Sequence, residues 1–323
     1  MKKIKLILMA LLLMPFNILA YSDYVIPGGE TLGIEVTSDG IMVIGFYEIN
    51  GKYNKGTPAI KVGDYITHIN NTKINSIDDL TKIVEENIDK GYVNITLKSG
   101  GKEKVSKLNL IKDDGIYKTG LYVKNNITGI GTLSYIDPET KIFGALGHEI
   151  MESNTSSIVE IKSGSIFRNY ITGIEKSTVG KAGSKNAKFY YGTKYGTINK
   201  NTSVGIYGTY ETNLLDKEKL KVGTSKDVKV GKAKIATVLE GEKLESFDIE
   251  IKSVDETAKL KNITFTIEDS TLLEKAGGVV QGMSGSPIIQ NGFLVGAVTH
   301  VIVDNPVSGY GIFITTMLKE GEK

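Results

Sequence analysis

Short stretches in which apolar and polar residues alternate make up most of this chain, and glycines separate many of them. Alternation with a period of two residues places the apolar side chains on one face of a strand. One stretch has a helical pattern instead, with Ser76 as a suitable N-cap and Asp79 three residues later. Its apolar residues recur at the spacing of a single helix face, namely Ile77, Leu80, Ile83 and Val84. The pattern therefore predicts a mainly β protein with few helices.

The order of these elements predicts two domains. Residues 30–111 combine several short strands with the helix, which indicates a small α/β domain. The polar, turn-forming segment Lys112–Gly115 marks its end. Residues 115–323 consist almost entirely of strands and turns, with one further short helix predicted from Ser270 to Lys275. Many short strands separated by glycine are typical of a β-barrel or a sandwich.

The first 20 residues have the three parts of an export signal. Three lysines within the first five residues are followed by an apolar run from Leu6 to Met14, and Ala20 lies at a plausible cleavage point. The apolar run is far shorter than the roughly 20 residues that a membrane span needs. We expect an exported protein whose membrane contact is limited to this segment, as a removed signal peptide or a retained N-terminal anchor.

Composition narrows the possible chemistry. The 323 residues include 39 Lys and Arg against 37 Asp and Glu, and the formal net charge of +2 gives no indication of a nucleic-acid partner. The chain has no cysteine, so disulfides, a thiolate nucleophile and cysteine-ligated zinc are excluded. Its three histidines, His68, His148 and His300, are the side chains best suited to proton transfer near neutral pH.

The most specific motif is Gly282-Met283-Ser284-Gly285-Ser286-Pro287. A nucleophilic serine needs an exposed hydroxyl and backbone N–H groups directed at the developing oxyanion, and flanking glycines permit the tight turn that provides both. We predict Ser284 as the nucleophile, the N–H groups of Gly282 and Ser284 as the oxyanion hole, and Ser286 as a packing residue. The alternative is a glycine-rich hairpin with an unreactive serine.

A serine nucleophile needs a base and, in a triad, an acid that orients the base. His148 ends a buried-looking strand ahead of the serine and is the predicted base, with His300 as its alternative. Asp269 is the predicted acid, although it serves equally well as the N-cap of the helix that follows it, and the sequence leaves both roles open. The other acids considered are Asp248, Asp304 and Glu152.

The small domain resembles a PDZ domain of the bacterial protease type in the segment Ala59–Ile66 and in the helix near Ser76. PDZ domains bind extended peptides by strand addition beside such a helix. The resemblance implies a peptide groove between the strand around Gly33–Val36 and this helix. The residues implied to bind peptide are Gly33, Ile34, Glu35, Ile77, Leu80 and Val84. The alternative is that these side chains only pack the domain.

Nearly the whole chain resembles the stage IV sporulation protein B (SpoIVB) family of serine peptidases. The matching segments are Gly144–His148, Ser246–Ile251 and Gly277–Gly292, and the match continues through 297–301 to 309–311. The resemblance implies a trypsin-like β-barrel peptidase domain with His148, Asp269 and Ser284 as catalytic residues and no metal or cofactor. One departure concerns Asp269, which lies only 15 residues before Ser284, whereas the acid of trypsin-like chains lies far ahead of the serine.

The resemblance also implies a biological role. Members of this family are signalling peptidases secreted into the space between the two forespore membranes. They cleave themselves and a membrane-bound regulator of a metalloprotease that processes a mother-cell sigma factor, and their PDZ domain is implied to control self-cleavage and target binding. Two other functions are compatible with the same domains: a non-catalytic peptide-binding scaffold and a general extracytoplasmic quality-control protease.

Overall fold

The structure is a computed structural model that describes residues 21–214 and 217–323. The predicted signal segment, residues 1–20, lies outside the described residues. Among the described helices, none is long and apolar enough to cross a membrane. Strands dominate the backbone, which confirms the prediction of a mainly β protein.

The strands are numbered in chain order: β1 Tyr24–Pro27, β2 Thr31–Phe46, β3 Glu48–Ile49, β4 Lys52–Tyr53, β5 Tyr65–Ile69, β6 Thr72–Lys73, β7 Tyr92–Ser99, β8 Lys102–Asn109, β9 Ile111–Asp113, β10 Ile116–Lys118, β11 Leu121–Ile136, β12 Ile142–Ala145, β13 Met151–Glu152, β14 Ser157–Ile158, β15 Ile161–Glu175, β16 Ser184–Thr202, β17 Gly205–Tyr210, β18 Leu220–Val222, β19 Gly231–Val238, β20 Leu244–Val254, β21 Ile263–Ile267, β22 Pro287–Gln290, β23 Phe293–Val301 and β24 Ser308–Phe313. The helices are α1 Ile77–Glu86, α2 Ser270–Ala276 and α3 Ile314–Gly321, and the 3₁₀ turns are Ile88–Lys90 and Ser225–Asp227.

Six strands close into a first antiparallel barrel. Pairing runs from β2 to β11, β12, β17, β16 and β15, and β15 pairs again with β2. Closure gives each of these strands a partner on both edges and one face toward the barrel interior. The interior is filled mainly by Ile, Leu and Val, together with Phe143 and Tyr210.

Six later strands close into a second antiparallel barrel. Pairing runs from β19 to β20, β21, β24, β23 and β22, which returns to β19. The cluster of Tyr135 and Tyr207 from the first barrel with Leu294 from the second joins the two barrels, and Met317 of α3 packs into the same cluster. This pairing agrees with the two-barrel peptidase domain implied by the family resemblance.

A small α/β unit lies between β2 and β11 along the chain. The second half of β2 forms a sheet with β5, β7 and β8, and α1 packs beside it. The helix begins as predicted, because the Ser76 hydroxyl accepts the Asp79 N–H at 3.1 Å while the Asp79 carboxylate accepts the Ser76 N–H at 3.0 Å. Val84 is buried in the core of the unit and Leu80 packs against that core, whereas Ile77 is largely exposed.

The first half of β2 corrects two predictions about this unit. Residues 32–38, predicted to belong to it, pair with β11 on one edge and with β15 on the other, so they are part of the first barrel. Because both edges of the strand are occupied, no peptide can add to it. The predicted peptide groove at Gly33, Ile34 and Glu35 is therefore wrong. The end of the small unit near residue 111 stays a prediction.

Candidate active site

The nucleophile loop, residues 282–286, depends on its two glycines. Gly282 and Gly285 have φ angles of +94° and +98°, a conformation that other residues rarely adopt. A β-carbon on residue 285 would lie 2.0 Å from the carbonyl oxygen of Thr132. Both positions therefore require glycine, and together they place the half-buried Ser284 at the turn between them.

Thr132 of β11 connects this loop to the loop that carries His148. Its hydroxyl donates to the carbonyl of Gly282 at 2.7 Å, and its N–H donates to the carbonyl of Ser284 at 2.9 Å. Its own carbonyl accepts the N–H of Leu146 at 3.3 Å. Sequence reasoning missed Thr132, because a threonine on a strand carries no local signal that it will be buried beside a distant loop.

The predicted oxyanion-hole donors are the N–H groups of Gly282 and Ser284. The N–H of Gln281 donates to the carbonyl of Gly183 at 2.8 Å, and the carbonyl of Gln281 accepts the N–H of Lys185 at 3.0 Å. The N–H of a trans peptide points opposite to its carbonyl, so the N–H of Gly282 is directed away from Lys185. Across the described residues, neither Gly282 nor Ser284 donates its N–H to a backbone carbonyl. Both N–H groups are therefore free of backbone acceptors in this part of the chain, which the predicted oxyanion hole requires.

His148 lies on a tight loop directly after β12. Leu146 and Gly147 have φ angles of +70° and +71°. Nδ1 of His148 lies 2.8 Å from the carbonyl oxygen of Glu149. Because a carbonyl oxygen only accepts hydrogen bonds, Nδ1 carries the proton and Nε2 is the basic nitrogen of the neutral ring. Desolvation lowers the pKa of His148 below its usual value, so the ring is neutral at neutral pH.

His148, Ser284 and His300 line one cleft of about 550 Å³. The ring centroids of the two histidines are 5.1 Å apart. Desolvation, followed by the proximity of His148, lowers the pKa of His300 to about 4, so His300 is also neutral near pH 7. The cleft thus brings together the predicted nucleophile, the predicted base and its alternative. Much of the remaining wall is aliphatic, including Ile34, Ile127, Ile130, Leu146, Val279 and Val301.

The hydroxyl of Ser284 donates to the carbonyl of Thr299 at 2.8 Å. Thr299 lies on β23 of the second barrel, so the predicted nucleophile is hydrogen-bonded to backbone in this arrangement. Its hydroxyl has to leave this carbonyl before it can donate to the predicted base.

Asp269 is placed away from His148. Its carboxylate accepts the N–H groups of Thr271 at 2.9 Å and Leu272 at 3.0 Å, and it is the N-cap of α2. It does not line the cleft. The predicted orienting role of Asp269 is therefore wrong for this arrangement, and the structure shows the N-cap role that the sequence had left open. The carbonyl of Glu149 makes the contact with Nδ1 that an acid makes in a triad.

The other acids considered are also directed elsewhere. Asp248 pairs with a lysine of β19 at 2.7 Å. The buried carboxylate of Glu152 accepts the N–H groups of Asn154 and Thr155, each at 2.8 Å. Asp304 is exposed and outside the cleft.

The remaining serine and histidine are not part of the cleft. Ser286 is fully buried, and its hydroxyl has no hydrogen-bond partner within residues 21–214 and 217–323, consistent with the packing role predicted for it. His68 lies on β5 of the small unit, with Nδ1 3.0 Å from the hydroxyl of Thr67.

Comparison with known proteins identifies the family. A family model described as SpoIVB peptidase S55 matches residues 115–318. Similar solved structures include the Rv3671c protease in an inactive form, which is 15% identical, with a TM-score of 0.31 and coverage of 59% of this chain and 83% of that chain. An inactive serine-to-alanine mutant of Rv3671c from M. tuberculosis H37Rv is also 15% identical, with a TM-score of 0.31 and coverage of 59% and 80%. No curated protein sequence matches the chain. Because the family model covers more than half of the chain, the protein belongs to the SpoIVB peptidase S55 family and is a serine peptidase.

Proposed function

We propose that this protein is an exported endopeptidase of sporulation signalling that cleaves itself and a membrane-bound regulator of a metalloprotease. One observation carries the catalytic part: Ser284 and His148 line the same cleft, and Nε2 of His148 is left as the basic nitrogen. The biological part is supported by family membership and by the export signal predicted from the first 20 residues. We place the protein between the two forespore membranes, with its N-terminal segment as its membrane contact.

The chemistry begins with a rotation of the Ser284 side chain. Its hydroxyl leaves the carbonyl of Thr299 and turns to Nε2 of His148, which accepts the proton as Oγ attacks the carbonyl carbon of the substrate. The net value of one hydrogen bond is about 1 kcal/mol, so this rotation is a minor part of the barrier. The oxyanion accepts hydrogen bonds from the N–H groups of Gly282 and Ser284.

The second half of the reaction reuses the same groups. The protonated His148 donates its proton to the leaving amine, and the acyl group remains on Ser284. Water then attacks the ester carbonyl while Nε2 of His148 accepts its proton, and the same two N–H groups stabilise the second oxyanion. As this oxyanion collapses, the bond between the acyl carbon and Oγ breaks, His148 returns the proton to Oγ, and the carboxylic acid product leaves.

The composition of the cleft favours an extended peptide with apolar side chains near the scissile bond. Glu149 is the single acidic side chain among the described residues that line the cleft, and no lysine or arginine lines it. An apolar wall gains free energy from burying aliphatic groups, at roughly 25 cal/mol per Å².

A serine-directed fluorophosphonate probe tests the nucleophile. We expect labelling of Ser284 in the wild type and in Ser286→Ala, and none in Ser284→Ala, because Ser284 lines the cleft with His148 whereas Ser286 is fully buried. Labelling of Ser286, or no labelling of folded wild-type protein, contradicts the catalytic assignment and favours the scaffold alternative.

Self-cleavage and target choice test the signalling role. Expressed wild-type protein should yield fragments that Ser284→Ala lacks, apart from any removal of the signal segment. Incubation with the membrane-bound regulator in lipid vesicles should give one or a few defined cuts, whereas denatured casein should be degraded slowly. Identical fragments in both proteins indicate a host protease, and rapid degradation of casein indicates quality control.

A further inference from the structure

Lys185, near the start of β16, is buried and has no acidic partner within residues 21–214 and 217–323. It is 3% exposed, and Nζ lies 2.8 Å from the hydroxyl oxygen of Thr237 and 3.2 Å from that of Thr31. Desolvation alone lowers its pKa to about 7. Burying an amine with only neutral partners destabilises a fold, so such a position indicates a role beyond packing.

The two hydroxyls belong to different barrels. Thr31 begins β2 of the first barrel, and Thr237 lies on β19 of the second. Both threonines are buried. The amine of Lys185 therefore connects the barrels at one point between them.

The same residue contacts the oxyanion hole. A β-carbon placed on Gly282 would lie 3.1 Å from Cδ and 3.3 Å from Cβ of Lys185, so the aliphatic part of the lysine lies against this glycine. The N–H of Lys185 donates to the carbonyl of Gln281, which belongs to the peptide that carries the N–H of Gly282. A displacement of Lys185 would therefore rotate the donor that stabilises the oxyanion.

We propose that Lys185 is a positioning residue for the oxyanion hole. Its amine, held by Thr31 and Thr237, fixes the start of β16 so that the Lys185 N–H orients the Gln281–Gly282 peptide. The inference rests on the proposed function, since it assigns a role within that site. Lys185 acts through Gly282 and does not touch the substrate.

The acidic side chains beside the two threonines pair with other lysines. Glu30, next to Thr31, uses one carboxylate oxygen to pair with Lys217 at 2.6 Å. Glu245, opposite Thr237 on β20, pairs with Lys243 at 2.7 Å. Within the described residues Lys185 makes no ion pair, and desolvation alone shifts its pKa. Removal of the amine should therefore stabilise the fold most near and below pH 7, where the buried amine is charged.

Lys185→Met tests the proposal, because methionine keeps the aliphatic stem and removes the amine. We expect a higher melting temperature together with a fall in kcat of about 10-fold or more, a KM within twofold of wild type, and an equal fall in the rate of fluorophosphonate labelling. A residue that only packs the core would not combine greater stability with slower acylation. Lys188→Met, which changes an exposed lysine of the same strand, is the matched control and should leave all four quantities unchanged.

The stability gain should depend on pH in a defined direction. Above pH 7 the folded protein has lost the proton of Lys185, while the unfolded chain holds it up to about pH 10.4. Stability of the wild type therefore rises with pH across this range relative to Lys185→Met, and the advantage of the variant shrinks. An advantage that is constant from pH 7 to 10 contradicts the buried, unpaired amine.

Thr237→Val gives a second, independent test if Lys185→Met does not fold. It removes the closer hydroxyl partner and should slow labelling of Ser284, and the double variant should label no more slowly than Lys185→Met. If Lys185→Met is labelled at the wild-type rate, the positioning role is wrong and the peptidase assignment stands. If Lys185→Met does not fold, wild-type labelling of Thr237→Val has the same meaning. Wild-type protein that is not labelled at Ser284 overturns the proposed function instead.

Discussion

The nucleophile loop and the histidine loop are held in different ways. The nucleophile loop receives two hydrogen bonds from Thr132 of the first barrel, and the N–H of Gly285 donates to Val298 of the second barrel at 2.7 Å. The histidine loop is bonded within the first barrel, where Leu146 donates to Thr132 at 3.3 Å and Ile150 donates to the side chain of Asn201 at 2.7 Å. Its ring contact is local, since Nδ1 of His148 donates to the carbonyl of Glu149 at 2.8 Å. The position of the serine therefore depends on how the barrels pack, whereas the tautomer of the base is set locally.

Because of this difference, we expect substitutions between the barrels and substitutions in the histidine loop to affect different parts of the site. A change that shifts one barrel against the other should disturb Ser284 and the oxyanion hole while His148 keeps its basic Nε2. A change within the histidine loop should remove the base while the nucleophile loop stays formed.

The largest effect is expected from removing either catalytic side chain. Ser284→Ala and His148→Ala should each lower kcat by about 10⁴–10⁶-fold, and the double variant should be no worse, because the two groups act as a unit. Turnover of a fluorogenic peptide measures this. His300→Ala should retain measurable activity, and an inactive His300→Ala beside an active His148→Ala would show that the base has been assigned to the wrong histidine.

Thr132→Val tests the contact between the barrels. The variant keeps the shape of the side chain and leaves the Gly282 carbonyl without its donor, so we expect about 10-fold lower kcat and a loss of about 1–3 kcal/mol in the free energy of unfolding. Denaturant unfolding and steady-state kinetics measure the two effects. Thr264→Val on β21 of the second barrel is the control. Unchanged kcat in Thr132→Val would mean that the nucleophile loop keeps its conformation without the hydrogen bond from the Thr132 hydroxyl.

The pH dependence of activity tests the protonation state assigned to His148. Protonated His148 cannot accept a proton, so activity falls as pH falls through its pKa, which desolvation places below 6.5. The acid limb of kcat/KM should therefore have an apparent pKa below 6.5, and His300→Gln should not move it. A limb above pH 6.5 would indicate an acidic neighbour that raises the pKa of His148.

The smallest effect is expected at Asp269. Asparagine is an equally good N-cap, so Asp269→Asn should keep both stability and activity within a few-fold, while Asp269→Ala should lose about 1 kcal/mol of stability with little change in kcat. Thermal unfolding and peptide turnover measure these quantities. If Asp269→Asn loses activity by a factor of 10³ or more, Asp269 contacts His148 in the catalytic form. The carbonyl of Glu149 then does not orient His148 by itself.

The features that could be predicted from the sequence are those that a few neighbouring residues determine. The turn at Ser284 follows from glycines two residues before and one residue after it, and the capping box of α1 links Ser76 to Asp79 within one helical turn. The beginning of α2 after Asp269 is a signal of the same kind.

The features that could not be predicted depend on pairing between distant strands. The resemblance to PDZ domains implied a peptide-binding strand at Gly33, Ile34 and Glu35, but β11 and β15 occupy both edges of this strand. Thr132 and Lys185 were missed for the same reason. Neither residue type indicates burial, and both are buried only because the two barrels pack against each other. Asp269 had two roles available locally, and its contacts in three dimensions decide between them.

The pairing of β2 with β11 has a consequence for how this enzyme can be altered. Phe46 faces Leu121 at one end of the pair and Thr31 faces Thr132 at the other, so residues 47–120 take the place of a hairpin turn. Insertions are tolerated where the two connection points are adjacent. Joining Ser38, whose hydroxyl donates to the carbonyl of Asn125 at 3.1 Å, to Asn125 through a short turn would keep the strand pairs of the first barrel. The small unit is thus inserted through two adjacent connections, and the contact that a replacement would have to supply is that of Tyr65, which packs into the core of the first barrel.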